Sequence, residues 1–253
     1  MIADTAAINI IKGIILLFAL MIFSTLTNAS VTMIGTRIIY PAESASVNVE
    51  FRNNNNFPYA VQVWIDSGDE ESTPATAKAP FVAAPALFRI MPGSGQVLRL
   101  AYSGGKNLPQ DRESVFYFNF LQIPPANLDK DSEEKRNSVL VMLKNRVKIF
   151  YRPQSIAKKI RNNKNDIKVT ASQVGDQIIV NINNTSPFFV SLVNVDIKSE
   201  NKKYNRSADM LAPFSQDEIK FERLPSMKNY SVVLTSINDQ GAYVNHIYEI
   251  TNL

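Results

Sequence analysis

The feature that most limits what this chain can fold into is a recurrence of short β-branched and aromatic runs cut apart by Asn, Gly, Pro and Ser clusters. SVNVEFRN (46–53), YAVQVWID (59–66), QVLRLAY (96–102), SVFYFNFLQI (114–123), DQIIVNINN (176–184), FFVSLVNVDI (188–197) and YSVVLTSI (230–237) all read as strands. No segment keeps a helical period. Many short strands with turns every ~8–12 residues predict an all-β chain of antiparallel, immunoglobulin-like sandwiches. The pattern breaks after Arg152, where PQSIAKKIRNNKND (153–166) is polar and lysine-rich. About 100 residues lie on either side of the break, enough for one sandwich each. The expected domains are therefore 30–152 and 153–253.

The first 29 residues belong to neither domain. Lys12 precedes the apolar run GIILLFALMIF (13–23), and a polar stretch ends in Thr27, Asn28 and Ala29, as in a secretory signal with a small-residue cleavage site. The run is short for a membrane span, although an N-terminal anchor is the competing reading. Removal at Ala29 leaves 253 − 29 = 224 residues, expected to be exported, soluble and not inserted in a membrane. There is no cysteine, so the cores must hold the fold without disulfides. Asp4 and Lys12 leave together, and the net charge stays at +4. A value that small predicts local basic sites, not a nucleic-acid surface.

Catalytic chemistry has little to work with. The single histidine, His246, sits in a strand-like context and reads as a surface or half-buried strand residue. Without cysteine there is neither a thiol nucleophile nor a Cys/His metal site. Asp69, Glu70 and Glu71 form a loop run whose default is solvation. No glycine-rich phosphate loop occurs. The expectation is a protein that is not an enzyme, with no cofactor and no metal.

Residues 139–153, VLVMLKNRVKIFYRP, are apolar on both faces and then turn basic. Alternation puts Val139, Val141 and Leu143 on one face and Leu140 and Met142 on the other. A sandwich edge strand could bury one set and display the other, inviting another chain to pair with it; a central strand covered on both faces fits equally well. Arg37 and Lys148 are ambiguous too: solvated strand cations, or a pair able to hold a carboxylate through charge-assisted hydrogen bonds. Lys144 and Arg146 are taken as solvated.

From Arg37 onward the chain resembles the periplasmic pilus (fimbrial) chaperones of the chaperone–usher pathway. The matching stretches are GTRIIYP (35–41), YAVQVWID, PFVAAPALFRIMPGSGQVLRLAY (80–102), LPQDRESVFYFNFLQIPP (108–125) and RVKIFYRP (146–153), then SPFFVSLVNV (186–195), MLAPFS (210–215) and INDQGAYV (237–244). The resemblance implies two immunoglobulin-like domains in a boomerang with a cleft between them. It implies a periplasmic chaperone that donates its G strand to complete the fold of a pilus subunit, caps the subunit's interactive groove and passes it to an outer-membrane usher. Such strand addition uses backbone pairing for affinity and alternating side chains as plugs. On the same ground Val139, Val141 and Leu143 match the donated apolar row. Arg37 and Lys148 match the cations that anchor the subunit's C-terminal carboxylate. Glu113, Arg152 and Asp239 match an interdomain charge network.

Parity places Lys148 with Leu140 and Met142 rather than with the donor row, so a twist or bulge between Leu143 and Lys148 is expected. Ala86 stands where many relatives carry a second proline. The loop at 126–138 carries no cysteine pair, which implies the short F–G loop subclass. An exposed apolar edge also predicts self-capping pairs of free chains at high concentration. The rival reading is a structural fimbrial subunit or surface adhesin, which should carry a donor extension of alternating apolar residues after the signal. Here VTMIGTRIIYP begins strand-like sequence almost at once.

Overall fold

The computed structural model describes residues 30–105, 107–125, 140–159, 163–199, 202–222 and 230–250. The proposed signal segment, the 126–138 loop with its subclass assignment, and Val139 lie outside the described residues.

Alternation explains the strands. Along β3 (Val47–Asn53), Val49, Phe51 and Asn53 turn inward while Asn48, Glu50 and Arg52 face water, the period-2 pattern of a half-buried strand. Four strands form one sheet of the first sandwich, in the order β1 (Val31–Met33), β3, β7 (Gly95–Tyr102), β5 (Phe81–Ala84). Five form the other, in the order β2 (Arg37–Pro41), β9 (Leu143–Arg152), β8 (Ser114–Ile123), β4 (Tyr59–Asp66), β6 (Leu87–Ile90). Between them Phe51, Leu98, Leu100, Phe118 and Ile149 are fully buried.

A second core is built around Val180, Ile182, Val195, Ile197, Val232 and Leu234. It joins a three-stranded sheet of β10 (Ile167–Val174), β11 (Gln177–Asn184) and β14 (Gln216–Glu222) to a four-stranded one. The latter runs β13 (Lys202–Ser207), β12 (Ser191–Ser199), β15 (Tyr230–Ile237), β16 (Tyr243–Ile250). After Arg152 the chain makes two single helical turns, α1 (Gln154–Ala157) and α2 (Asn163–Asp166). Buried Ile156 pins α1 in place.

One pairing departs from the antiparallel expectation: β2 runs parallel to β9, with Arg37 opposite Lys148 and Pro41 opposite Arg152. Its cause is a switch of sheets. β1 pairs with β3 in one sheet, and four residues later β2 lies in the other. Gly35, at φ +95°, makes the crossing, in a backbone region costly for any residue with a Cβ. The switch delivers Arg37 to the edge of β9.

Candidate functional site

β9 has two different edges along its length. On one side it pairs with β8 without a break, from Ser114 opposite Tyr151 to Gln122 opposite Leu143. On the other, β2 covers only Lys148 to Arg152. Among the described residues Leu143–Val147 is therefore paired on one side alone, and its other backbone edge is open. Leading into it, Leu140, Val141, Met142 and Leu143 are 49%, 64%, 51% and 48% exposed.

These facts correct two expectations. Among the described residues of the VLVML run neither face is buried: Leu140 and Met142 are as exposed as Val141 and Leu143, because they precede Leu143, the first residue of β9 to pair with β8. Nor does a bulge separate Leu143 from Lys148, since the register with β8 is continuous. Leu143 shares its face with Val147, Ile149 and Tyr151, of which Ile149 and Tyr151 enter the core. Lys144, Arg146 and Lys148 share the opposite face, and strict alternation resolves the parity.

At the point where β2 begins, Arg37 and Lys148 are register partners. The second sandwich holds the arginine: Arg37 Nη1 donates to Ser191 Oγ at 3.2 Å and to the Ile237 carbonyl at 3.1 Å. Gly241 packs so closely on Thr36 that a Cβ would lie 2.6 Å from Thr36 Oγ1. Lys148 is half-buried, and among the described residues no hydrogen bond or ion pair engages its ammonium. Burial, then the nearby Arg37, pulls its pKa below the ordinary lysine value, with Asp209 opposing and Arg146 adding to the shift. A half-desolvated ammonium beside a guanidinium favours an anion, and a carboxylate matches both donors.

Glu113, Arg152 and Asp239 also come together. Arg152 Nη2 donates to Glu113 Oε1 at 2.7 Å and to Asp239 Oδ2 at 2.9 Å, and Arg152 Nε reaches Glu113 Oε1 at 2.9 Å. The other Glu113 oxygen accepts the Phe189 backbone N–H at 2.8 Å. Burial works against the Arg152 charge, but the two carboxylates outweigh it and raise its pKa. Phe150 and Phe189 pack beside this group, ring centroids 5.8 Å apart. The cluster joins β9 and the residue just before β8 of the first sandwich to the second.

Arg146 is not the freely solvated group expected of it, and Lys144 and Glu70, though exposed as expected, are engaged beside it. Arg146 Nη2 binds Asp66 Oδ1 at 2.7 Å and Nη1 binds Glu70 Oε1 at 3.0 Å; Lys144 Nζ donates to the Glu70 carbonyl at 2.6 Å. Sequence reasoning also passed over Ser191 and Asp66. The one available signal was an aspartate closing the apolar run YAVQVWID. His246 lies half-buried on β16. Among the described residues no group of three or more His, Cys, Asp or Glu could hold a metal, and no helix is long and apolar enough to cross a membrane.

Comparison with known proteins gives this geometry a family. Residues 30–157 match the pili and flagellar-assembly chaperone, PapD N-terminal domain, and residues 165–248 the pili assembly chaperone PapD, C-terminal domain. The chain belongs to the pilus-assembly chaperones. It is 35% identical over 227 residues to the probable fimbrial chaperone YadV of Escherichia coli (strain K12), covering 88% of this chain and 91% of the relative. To the chaperone protein HifB of Haemophilus influenzae it is 34% identical over 236 residues, covering 91% and 94%. The crystal structure of the Pseudomonas aeruginosa CupB2 chaperone superposes with a TM-score of 0.69 at 30% identity, over 87% of this chain and all of that one. Membership in this family makes the protein a pilus-assembly chaperone rather than a structural subunit or adhesin, and gives it a non-enzymatic role.

Proposed function

We propose that this chaperone works in the periplasm by adding β9 and the residues leading into it to an incomplete pilus subunit, with Val139, Val141 and Leu143 as the donated apolar row, and by anchoring the subunit's C-terminal carboxylate on Arg37 and Lys148. It thereby caps the subunit's groove until an outer-membrane usher receives it. The signal-like N-terminal segment supports the compartment. One observation carries the reading: the open edge of β9 runs without interruption into the Arg37–Lys148 pair, at the residue where β2 takes over that edge.

On this reading the guest strand also has a direction. A strand whose C-terminus rests at Lys148 and whose body lies along Leu143–Val147 runs parallel to β9, on the same line as β2. From Leu143 to Lys148 is about 17 Å of extended chain. Fixing the carboxylate sets the register, and a one-residue slip would turn the wrong side chains into the groove. Burying each donated residue contributes roughly 1.5–3 kcal/mol gross, much of it offset by the cost of association.

Co-expression with subunits encoded beside the gene, followed by purification from the periplasm, tests this. Lys148→Ala is the sharper variant, since Arg37 also contacts the second sandwich. A folded Lys148→Ala protein that no longer co-purifies with subunit is the expected outcome; normal co-purification would overturn the anchor.

A further inference from the structure

The outer face of the β9 sheet carries a polar cluster that neither core requires. Trp64 pairs across the sheet with Asn119, and Asn119 with Arg146; in the next row Asp66 pairs with Tyr117, and Tyr117 with Lys148. Asp66, at 1% exposure, sits at the centre. Its Oδ1 accepts the Gly68 N–H at 2.7 Å and Arg146 Nη2 at 2.7 Å. Its Oδ2 accepts Asn119 Nδ2 at 2.6 Å and Ser72 Oγ at 3.1 Å. Trp64 Nε1 donates to Ser72 Oγ at 3.1 Å, fastening the Asp66–Ser72 turn down onto the sheet. The Arg146 guanidinium lies 3.7 Å from the Tyr117 ring centroid, a stacked cation–π contact.

The position of this cluster along β9 is what matters. The C-terminal half of the strand is held by backbone pairing on both edges. The N-terminal half is held on one edge only, and a singly paired strand end opens at low free energy. Lys144 and Arg146, two residues apart on one face, both grip Glu70, and Arg146 reaches Asp66 as well. Side chains thus supply from the face the hold that a neighbouring strand would otherwise supply from the edge. The open N–H and C=O groups are left unused.

We infer that Arg146, fastened to Asp66 and Glu70, is a positioning residue that keeps Leu143–Val147 extended and its free edge ready to pair. The consequence for capture rests on the strand-donation reading above; the tether itself does not. Once a guest strand has paired, β9 is covered on both sides and the tether adds little. Its loss therefore slows association and leaves dissociation nearly unchanged.

The test is amide hydrogen exchange on the full mature chain, together with capture kinetics against a purified, denatured subunit, for Arg146→Gln, Arg146→Lys and Glu70→Ala. Glu70 is exposed, so its variant keeps the fold even if Arg146→Gln does not. Exchange at Leu143–Val147 and at their β8 partners is expected to rise about tenfold in Arg146→Gln, with the rest of both sandwiches unchanged. Arg146→Lys should recover part of the loss, and Glu70→Ala should show a smaller effect in the same stretch. The association rate should fall about tenfold while the dissociation rate stays within about twofold. Unchanged exchange in Leu143–Val147, or a rise spread evenly over both sandwiches, overturns the tether. Localised loosening with association unaltered overturns its role in capture. Val141→Asp, run in parallel, separates the two readings: if it too leaves capture intact, strand donation has failed, and the exchange data still decide the tether.

Discussion

Arg37 and Lys148 are register partners in the parallel pairing of β2 with β9, at the residue where β9 passes from one covered edge to two. The arginine is held by Ser191 and Ile237 of the second sandwich, whereas the lysine keeps its ammonium without a described partner. If the pair anchors a carboxylate as proposed, two cations with such different surroundings divide the work: one is fixed, and the other gains most from an arriving anion.

A peptide matching the C-terminus of a subunit should bind this pair, and its C-terminally amidated form should not. Lys148 has a lowered pKa in the free protein, and a bound carboxylate favours its protonated form. Affinity should therefore hold through neutral pH and fall as pH rises, beginning below the ordinary lysine value. Calorimetry at a series of pH values checks both points, and equal binding of the amidated peptide would remove the anchor.

Glu113→Gln should destabilise the junction of the two sandwiches. Glu113 is buried and serves both Arg152 and the Phe189 N–H, and removing one partner of a buried pair costs about 3–5 kcal/mol. Thermal unfolding should begin roughly 10 °C lower. A melting curve unchanged from wild type would show that the network holds nothing together.

Gly241→Ala tests whether the second sandwich positions the anchor. Its Cβ would meet Thr36 Oγ1 at 2.6 Å, and φ at Gly241 is +88°. Thr36 must move, and Arg37 follows it in sequence. Subunit capture should weaken more than stability does. Capture at the wild-type level would mean that Arg37 is placed by β2 alone.

Free chains should pair at high concentration through the exposed Leu140–Leu143 stretch, because an open apolar edge is a template for another strand. Sedimentation at millimolar protein should show association that Val141→Asp abolishes. A monomer at that concentration would refute it.

Alternation made the strands legible, since the Val49–Phe51–Asn53 rhythm of β3 is written in its own residues. That Arg37 would meet Lys148, and Glu113 meet Arg152 and Asp239, was legible only through family resemblance, because nothing local in TRIIY, DRES or INDQG says what each will meet. Asp66 and Arg146 lie 80 residues apart, so each alone looks like an ordinary strand-end charge. The bulge is absent for a similar reason: parity along β9 is written in its own residues, but its meaning depends on β2 and β8, which flank it from distant parts of the chain.

The sheet switch at Gly35 has a last consequence. With β2 laid against the final five residues of β9, the berth proposed for a guest strand is closed at one end. A chain docked there would be measured backward from its terminus, as against a ruler with a stop. Subunits of quite different sequence would then qualify if the span from last residue to groove were the same.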